Sequence, residues 1–152
     1  SGYDQIYYLG SEPLRESQRA LGVQKGAEGI PVTHVMCDVS LEAGRQAARD
    51  LALKAQGNYA IVGHNDLVAI GALHGLREAG VEVPEQAGVV GFDDIAMSAY
   101  VTPPLTTVRQ HQYEMGVEAM NAMEHLIDYR DFPKSTTVVS ELVVRESTRK
   151  IK

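Results

Sequence analysis

The sequence predicts an α/β fold of three layers, in which a parallel sheet lies between helices on both of its faces. Strand-like and helix-like segments alternate along the 152 residues with short connections, as in chains that form parallel sheets. The central strand-like segments 59–62 and 88–92 are continuously apolar, which is typical of strands buried on both faces. A chain of this length buries enough surface for one self-sufficient core, so we expect one domain.

A strand, a helix and a second strand open the chain. Residues 5–9 are rich in β-formers and stop at Gly10. Residues 14–26 favour a helix because Leu, Arg, Gln and Ala side chains predominate there. Residues 32–37 are strand-like again.

Two helices flank the third strand. The first spans 41–55, with Ser40 available as its N-cap and with its apolar residues on one stripe. Residues 59–62 form the short apolar strand. Residues 66–79 then have the pattern of a helix that Gly80 ends.

The remaining elements follow a fourth strand over 87–92, which closes on two aspartates. A turn or short helix covers 95–100, and a stiff proline-containing loop covers 101–105. A short strand is predicted over 106–109. The last two elements are a helix over 112–128 and a strand over 136–144.

Composition and charge exclude several classes of protein. With 44% hydrophobic and 22% charged residues, the chain is neither disordered nor fibrous. Lys and Arg total 14 against 20 for Asp and Glu, which gives a net charge of −6. The densest basic stretch, 145–152, contains Glu146 and is predicted to be a solvated tail. This chain alone is therefore not expected to bind DNA.

The sequence also predicts a location. Cys37 is the only cysteine, so an intrachain disulfide is impossible and a cytoplasmic location is expected. The N-terminus has no secretory-signal pattern, and polar residues interrupt the most apolar stretch, 59–73, so no membrane span is expected. Because a strand begins at Gln5 with almost no leader, we expect the sequence to start in the middle of a larger protein.

Ligands bind parallel sheets outside the carboxyl ends of the strands, which directs attention to Asp93 and Asp94. Two adjacent carboxylates suit a metal, acid and base catalysis, or hydrogen bonds from hydroxyl groups. They suit turns and helix caps equally well, and the residues alone leave these alternatives open. By the same reasoning Asn65 favours an N-cap role and Arg19 favours a solvated helix face.

The motifs of most α/β enzymes are missing. The sequence has no Gly-x-x-x-x-Gly-Lys, no Gly-x-Gly-x-x-Gly and no Gly-x-Ser-x-Gly. Its five histidines and Cys37 show no metal-ligand spacing, so neither a metal nor a cofactor is expected. One enzymatic alternative remains, a small α/β enzyme that uses Asp93, Asp94 and His64 in acid and base roles.

Four segments carry a resemblance to a known family. They read Asn-Asp-Leu-Val-Ala-Ile-Gly-Ala-Leu at 65–73, Val-Val-Gly-Phe-Asp-Asp-Ile at 89–95, Pro-Pro-Leu-Thr-Thr-Val-Arg-Gln at 103–110 and Leu-Val-Val-Arg-Glu-Ser at 142–147. In this order they resemble the effector-binding domain of the lactose-repressor/galactose-repressor (LacI/GalR) family of bacterial transcription regulators. Periplasmic sugar-binding proteins share that fold and the Val-Gly-Phe-Asp run, and they form a second alternative, although they generally lack the last two segments.

The resemblance implies a two-lobed, periplasmic-binding-protein-like (type I) sensor that binds a sugar, phosphosugar or nucleoside between its lobes. Residues 1–105 would then form the C-terminal lobe. Residues 106–128 would be a crossover strand and helix of the N-terminal lobe, and 129–152 would return to the C-terminal lobe and a tail. The helix-turn-helix through which the family binds DNA has no counterpart in the sequence.

The resemblance also implies the residues of the site. Arg19 and Asp93 match positions that hold ligand hydroxyl or carboxylate groups, and Asn65 matches a ligand-contacting amide. Val39 stands where family members often place a stacking aromatic residue, and Gln110 lies at the crossover. Asp94 is then expected to keep a structural turn role.

The resemblance further places a homodimer interface on the helix 66–79 and the segment 95–100. It would account for apolar residues that are expected to be exposed, namely Val68, Leu73 and Tyr100. Without most of an N-terminal lobe, the apolar stripe of the helix 112–128 needs another partner. We expect this helix to fold back on its own lobe, to pack against a second copy, or to be poorly ordered.

Overall fold

A four-stranded parallel sheet lies at the centre of the structure. The computed structural model describes residues 2–13, 17–129 and 137–149. The strands follow the order β2-β1-β3-β4, and every neighbouring pair is parallel. All four carboxyl ends therefore meet at one edge of the sheet, which confirms the predicted α/β class. The strands are β1 (Gln5–Gly10), β2 (Val32–Met36), β3 (Tyr59–Gly63) and β4 (Ala87–Val90).

Three helices connect these strands, and each begins at a side-chain cap. The oxygen atoms of Ser17, Ser40 and Asn65 accept hydrogen bonds from backbone N–H groups in the first turns of their helices. Because Ser17 is an N-cap, the first helix begins at residue 18; the predicted positions 14–16 lie outside the described residues. The helices are α1 (Gln18–Gly26), α2 (Leu41–Ala52) and α3 (Asp66–Glu78).

Helix α3 is buried on nearly all sides, because it packs against α2 on one side and against β3 and β4 on the other. The α2 and α3 backbones touch at glycines: a Cβ atom on Gly71 or Gly75 would overlap a backbone carbonyl of α2. The expectation that Val68 and Leu73 are exposed is therefore wrong, since their exposed fractions are 0% and 4%. Both side chains belong to the core between the sheet and this helix pair.

Residues beyond β4 form a connector. A short 3-10 helix spans Ala96–Ala99, and β5 (Thr107–Arg109) then pairs antiparallel with β6 (Glu141–Val143). Isolated parallel bridges link Val90 to Thr106 and Asp93 to Arg109. The segment that contains β5 therefore lies beside β4 and the residues that follow it. Thr136, where the last strand was predicted to begin, lies outside the described residues.

Helix α4 (Gln112–Tyr129) follows β5. The alternative in which this helix folds back on its own lobe is wrong for the described residues, because the side chains of its apolar stripe are exposed. The stripe consists of Tyr113, Val117, Met120, Met123 and Ile127. Its packing against a second copy stays a prediction.

Candidate functional site

Arg19 and Asp93 meet at the carboxyl edge of the sheet. Arg19 Nη2 lies 3.6 Å from Asp93 Oδ1, and the two side chains are 32% and 25% exposed. Arg19 Nη1 donates a hydrogen bond of 2.7 Å to the carbonyl oxygen of His64, and its guanidinium lies 4.1 Å from the centre of the Phe92 ring. The guanidinium is thus held in place and still reachable from solvent, beside a carboxylate.

Gln110 joins this pair from the connector. Its Nε2 atom donates a hydrogen bond of 2.7 Å to Asp93 Oδ1. The Asp93 backbone N–H donates to the carbonyl oxygen of Val108 at 2.9 Å, so β5 brings Gln110 alongside the aspartate. Asp93 has a φ of 114°, in a region that Asp and Asn adopt more readily than most residues. Three of the predicted site residues, Arg19, Asp93 and Gln110, therefore lie together.

Asp94 faces a different set of partners. Its Oδ2 accepts a hydrogen bond of 2.7 Å from Arg109 Nε, and its Oδ1 accepts one of 2.6 Å from Arg145 Nη2. Burial alone would raise the pKa of this carboxyl, but the hydrogen bonds from Arg145 and Arg109 outweigh burial and hold it below its ordinary value. Asp94, with a φ of 52°, thus links the two strands of the connector to the end of β4.

Asn65 and Val39 lie at the same edge but make different contacts. Asn65 Oδ1 accepts a hydrogen bond of 3.1 Å from the Val68 backbone N–H, as predicted for an N-cap. Val39 follows β2, the outermost strand, and its side chain is exposed. The ligand-binding roles of both residues stay predictions.

A buried hydrogen-bonded group lies directly beside Arg19. Tyr8 Oη lies 3.0 Å from His64 Nδ1 and 3.3 Å from Ser17 Oγ, and Tyr8 and Ser17 are both buried. Burial lowers the pKa of His64, and the positive charge of Arg19 lowers it further, so the neutral form of the ring is favoured. No local pattern predicts roles for Tyr8 and Ser17, because Tyr8 meets His64 only through the pairing of β1 with β3, and Ser17 joins them from the start of α1.

Asp66 accepts a second set of buried hydrogen bonds that the sequence analysis did not predict. Its buried carboxylate accepts hydrogen bonds from Thr107 Oγ1 at 2.5 Å, from Ser98 Oγ at 2.6 Å and from the Ile95 backbone N–H at 2.8 Å. A Cβ atom on Gly91 would overlap this carboxylate. Asp66 therefore links the start of α3 to the 3-10 helix and to β5. Gly91 was the available sequence signal, because a glycine is needed where the Asp66 carboxylate comes this close to the backbone.

The structure does not bring Asp94 and His64 together as an acid and base pair, as the enzymatic alternative requires. Asp94 is paired with two arginines, while the His64 ring contacts the hydroxyl group of Tyr8 rather than a carboxylate. Within residues 2–13, 17–129 and 137–149, no group of three or more His, Cys, Asp and Glu side chains is placed to hold a metal ion. Among the same residues no helix is long and apolar enough to cross a membrane.

Comparisons with known proteins match the whole of this architecture. Residues 1–148 match the family described as "Periplasmic binding protein-like domain". The HTH-type transcriptional repressor CytR of Escherichia coli strain K12 is 35% identical over 172 residues, covering 98% of this chain and 49% of that protein. A lactose operon repressor from Rhizobium radiobacter is 35% identical over 109 residues, covering 72% of this chain and 96% of that protein.

Solved structures of LacI family regulators have the same fold as this chain. A LacI family transcriptional regulator from Arthrobacter sp. FB24, in complex with lactose, superposes with a TM-score of 0.81 at 28% identity, over 97% of this chain and 59% of that one. One from Enterococcus faecium with bound ribose gives a TM-score of 0.81 at 25% identity, over 99% and 59%. The chain aligns with CytR over nearly all of its own residues and spans about half the length of that protein.

Proposed function

The chain belongs to the family of periplasmic binding protein-like domains, in the form carried by LacI/GalR-type transcriptional regulators, and on this basis we propose that it senses a small-molecule effector for such a regulator. The matched relatives are named as transcriptional regulators rather than enzymes. DNA binding through a helix-turn-helix and a cytoplasmic site of action are part of this proposal, because the relatives are named as HTH-type regulators.

The contact between Arg19 and Asp93 carries this proposal. A guanidinium beside a carboxylate offers charged donors and acceptors at one place, and such hydrogen bonds are stronger than neutral ones. Both side chains remain partly exposed, so a ligand reaches them without unfolding any element. A polyhydroxylated molecule of the sugar, phosphosugar or nucleoside class fits this chemistry. Two structural neighbours have sugars bound, lactose in one and ribose in the other, and these ligands support a sugar as the class of effector proposed here.

The two aspartates give a route from the site to the rest of the chain. Asp93 contacts the effector in this proposal and also holds Gln110, which lies two residues before α4. The Asp94 carboxylate accepts hydrogen bonds from Arg109, at the end of β5, and from Arg145, which follows β6. A ligand that changes the position of Asp93 therefore acts directly on β5 and α4, and a regulator is expected to use such a coupling between sites.

We assign a homodimer contact to the segment that contains the 3-10 helix. Tyr100 is 86% exposed, and Met97 and Leu67 are exposed as well. Large apolar side chains in water favour an interface with a second copy of the chain. Of the three residues predicted for this interface, Tyr100 is retained, while Val68 and Leu73 act within the core.

Calorimetric titration with four probes tests the proposal: ribose, ribose 5-phosphate, uridine and lactose. The first three share a ribose ring, so differences among them report the contribution of a phosphate or a base. Arg19→Ala and Asp93→Asn should each weaken binding of the best probe by about 1.5–3 kcal/mol, as for hydrogen bonds to charged groups. Arg77→Ala, on α3, is the matched control. Unchanged affinity in both site variants would contradict the proposal.

A further inference from the structure

We propose that His64 is a further effector-contacting residue, which donates a hydrogen bond from Nε2 to an acceptor oxygen of the effector. The inference rests on the proposed function, because it concerns the same site. It assigns His64 a binding role, and it assigns Tyr8 and Ser17 the role of positioning the histidine ring.

The position of His64 is the first argument. The residue follows β3 directly, and its backbone N–H donates a hydrogen bond of 2.8 Å to the carbonyl oxygen of Leu9. Its own carbonyl oxygen accepts the 2.7 Å hydrogen bond from Arg19. The histidine therefore lies at the carboxyl edge of the sheet, in contact with the guanidinium that is assigned to the effector.

The protons of the buried group supply the second argument. Ser17 Oγ already accepts a hydrogen bond from the Ala20 backbone N–H at 3.4 Å, so the hydroxyl proton of Ser17 needs an acceptor, and among the described residues Tyr8 Oη lies within reach. Tyr8 then donates its own proton to His64 Nδ1. The reverse order would leave a buried serine proton without an acceptor among the described residues, which is costly.

The direction of these bonds fixes the tautomer of His64. A ring nitrogen that accepts from Tyr8 carries no proton, so the single proton of the neutral imidazole is on Nε2. Within residues 2–13, 17–129 and 137–149, Nε2 has no hydrogen-bond partner, and the ring is only partly buried. Nε2 is also on the ring edge opposite the one that Tyr8 holds. His64 therefore presents an oriented donor.

An oriented neutral donor selects the chemistry of the ligand. The Nε2–H group can donate to a hydroxyl, ring or carbonyl oxygen of the ligand. A ligand that has no acceptor at this point makes one hydrogen bond fewer. Sugars supply such an oxygen from the ring or a hydroxyl group, and nucleosides supply it from the ribose or the base. Ribose and uridine distinguish these two sources, since they share the sugar and differ in the base.

Nitrogen-15 NMR of the histidine rings tests the inference on the full chain. In the free protein, we expect the His64 resonances of a neutral ring with the proton on Nε2. Addition of millimolar ribose, ribose 5-phosphate or uridine should shift His64 Nε2 and leave His74, on α3, unchanged. A spectrum with the proton on Nδ1 would overturn the inference without any ligand.

Variants extend the test to affinity. His64→Phe and Tyr8→Phe should each weaken binding of the best probe by roughly threefold to tenfold, as for a neutral hydrogen bond, while His64→Gln, which restores an N–H donor, should recover part of the loss. His74→Phe is the matched control. Binding that is the same in His64→Phe and in the parent overturns this inference and leaves the proposed function intact. Binding of none of the probes overturns both.

Discussion

Asp93 and Asp94, adjacent residues that both have a positive φ, lie in different environments. Asp93 stays partly exposed beside Arg19 and Gln110, whereas Asp94 is paired with Arg109 and Arg145. The residues alone left the roles of this pair open, and the resemblance to a family assigned the ligand to Asp93. The arginines that hold Asp94 lie 15 and 51 residues further along the chain, so no local pattern predicts this pairing, and the ligand role of Asp93 stays a prediction.

The ion pairs of Asp94 should make stability depend on pH. The pKa of Asp94 is lowered from its ordinary value of 3.8, so its contribution is fully present above that pH and is lost as the pH falls through the lowered pKa. At pH 7, Asp94→Asn should reduce the free energy of unfolding by roughly 2 kcal/mol, as for hydrogen bonds between charged groups. Urea unfolding from pH 7 to pH 3 checks this, because the difference from the parent should shrink at acidic pH. A difference that grows towards pH 3 would contradict it.

Asp66 should be sensitive to loss of a single acceptor oxygen. Both carboxylate oxygens accept hydrogen bonds from donors, so the amide group of Asp66→Asn must point its N–H atoms at another donor. We expect a loss of about 2–3 kcal/mol in the free energy of unfolding, measured by urea denaturation. Asp38→Asn, at an exposed position, is the control and should change stability little. Equal stability of the two variants would contradict this account.

Individual elements were predicted well where a local signal exists. The starts of α2 and α3 follow from Ser40 and Asn65, because capping depends only on neighbouring residues. The burial of α3 was predicted wrongly, since an apolar helix fits an interface between copies as well as the interior of one chain. Gly71 and Gly75, which allow the approach of α2, were the overlooked signal.

Substitution of glycines in the helices tests that packing. A Cβ atom on Gly71 would overlap a backbone carbonyl of α2, and neither backbone yields easily, so Gly71→Ala should cost about 1–3 kcal/mol of stability. Gly22→Ala, on α1, is the matched control because its Cβ meets nothing within 4 Å. There the gain in helix propensity should stabilise the protein by up to about 1 kcal/mol. Thermal unfolding of both variants measures the difference, and a stabilised Gly71→Ala would refute the close contact.

At the scale of the whole molecule, the sequence predicted the parallel sheet but neither the order of its strands nor the contacts across it. Arg19, Asp93 and Gln110 were named in advance and lie together. The group of Tyr8, Ser17 and His64 was not, because residues 9 and 56 positions apart meet only through strand pairing and the placement of α1. Long-range contacts of this kind leave no periodic pattern in a single sequence.

Self-association is the property of the whole molecule that is most open to test. Tyr100→Asp should shift sedimentation towards the monomer, because a charge in an apolar interface is costly. Met120→Asp reports separately on the exposed stripe of α4. Leu53→Asp, at another exposed apolar position, is the control. A dimer that persists in Tyr100→Asp and dissociates in Met120→Asp would move the interface to α4, and a monomeric parent would refute both.

The positive φ of Asp93 also limits how this position changes by mutation. Asp, Asn and Gly adopt such a backbone most readily, and of these three only Asp carries a charge. A single base change converts an aspartate codon into one for asparagine or glycine. Under the proposed function, one such base change would remove the charged contact of Asp93 with the effector and keep the backbone conformation, so we expect ligand specificity to change at this position in a single step.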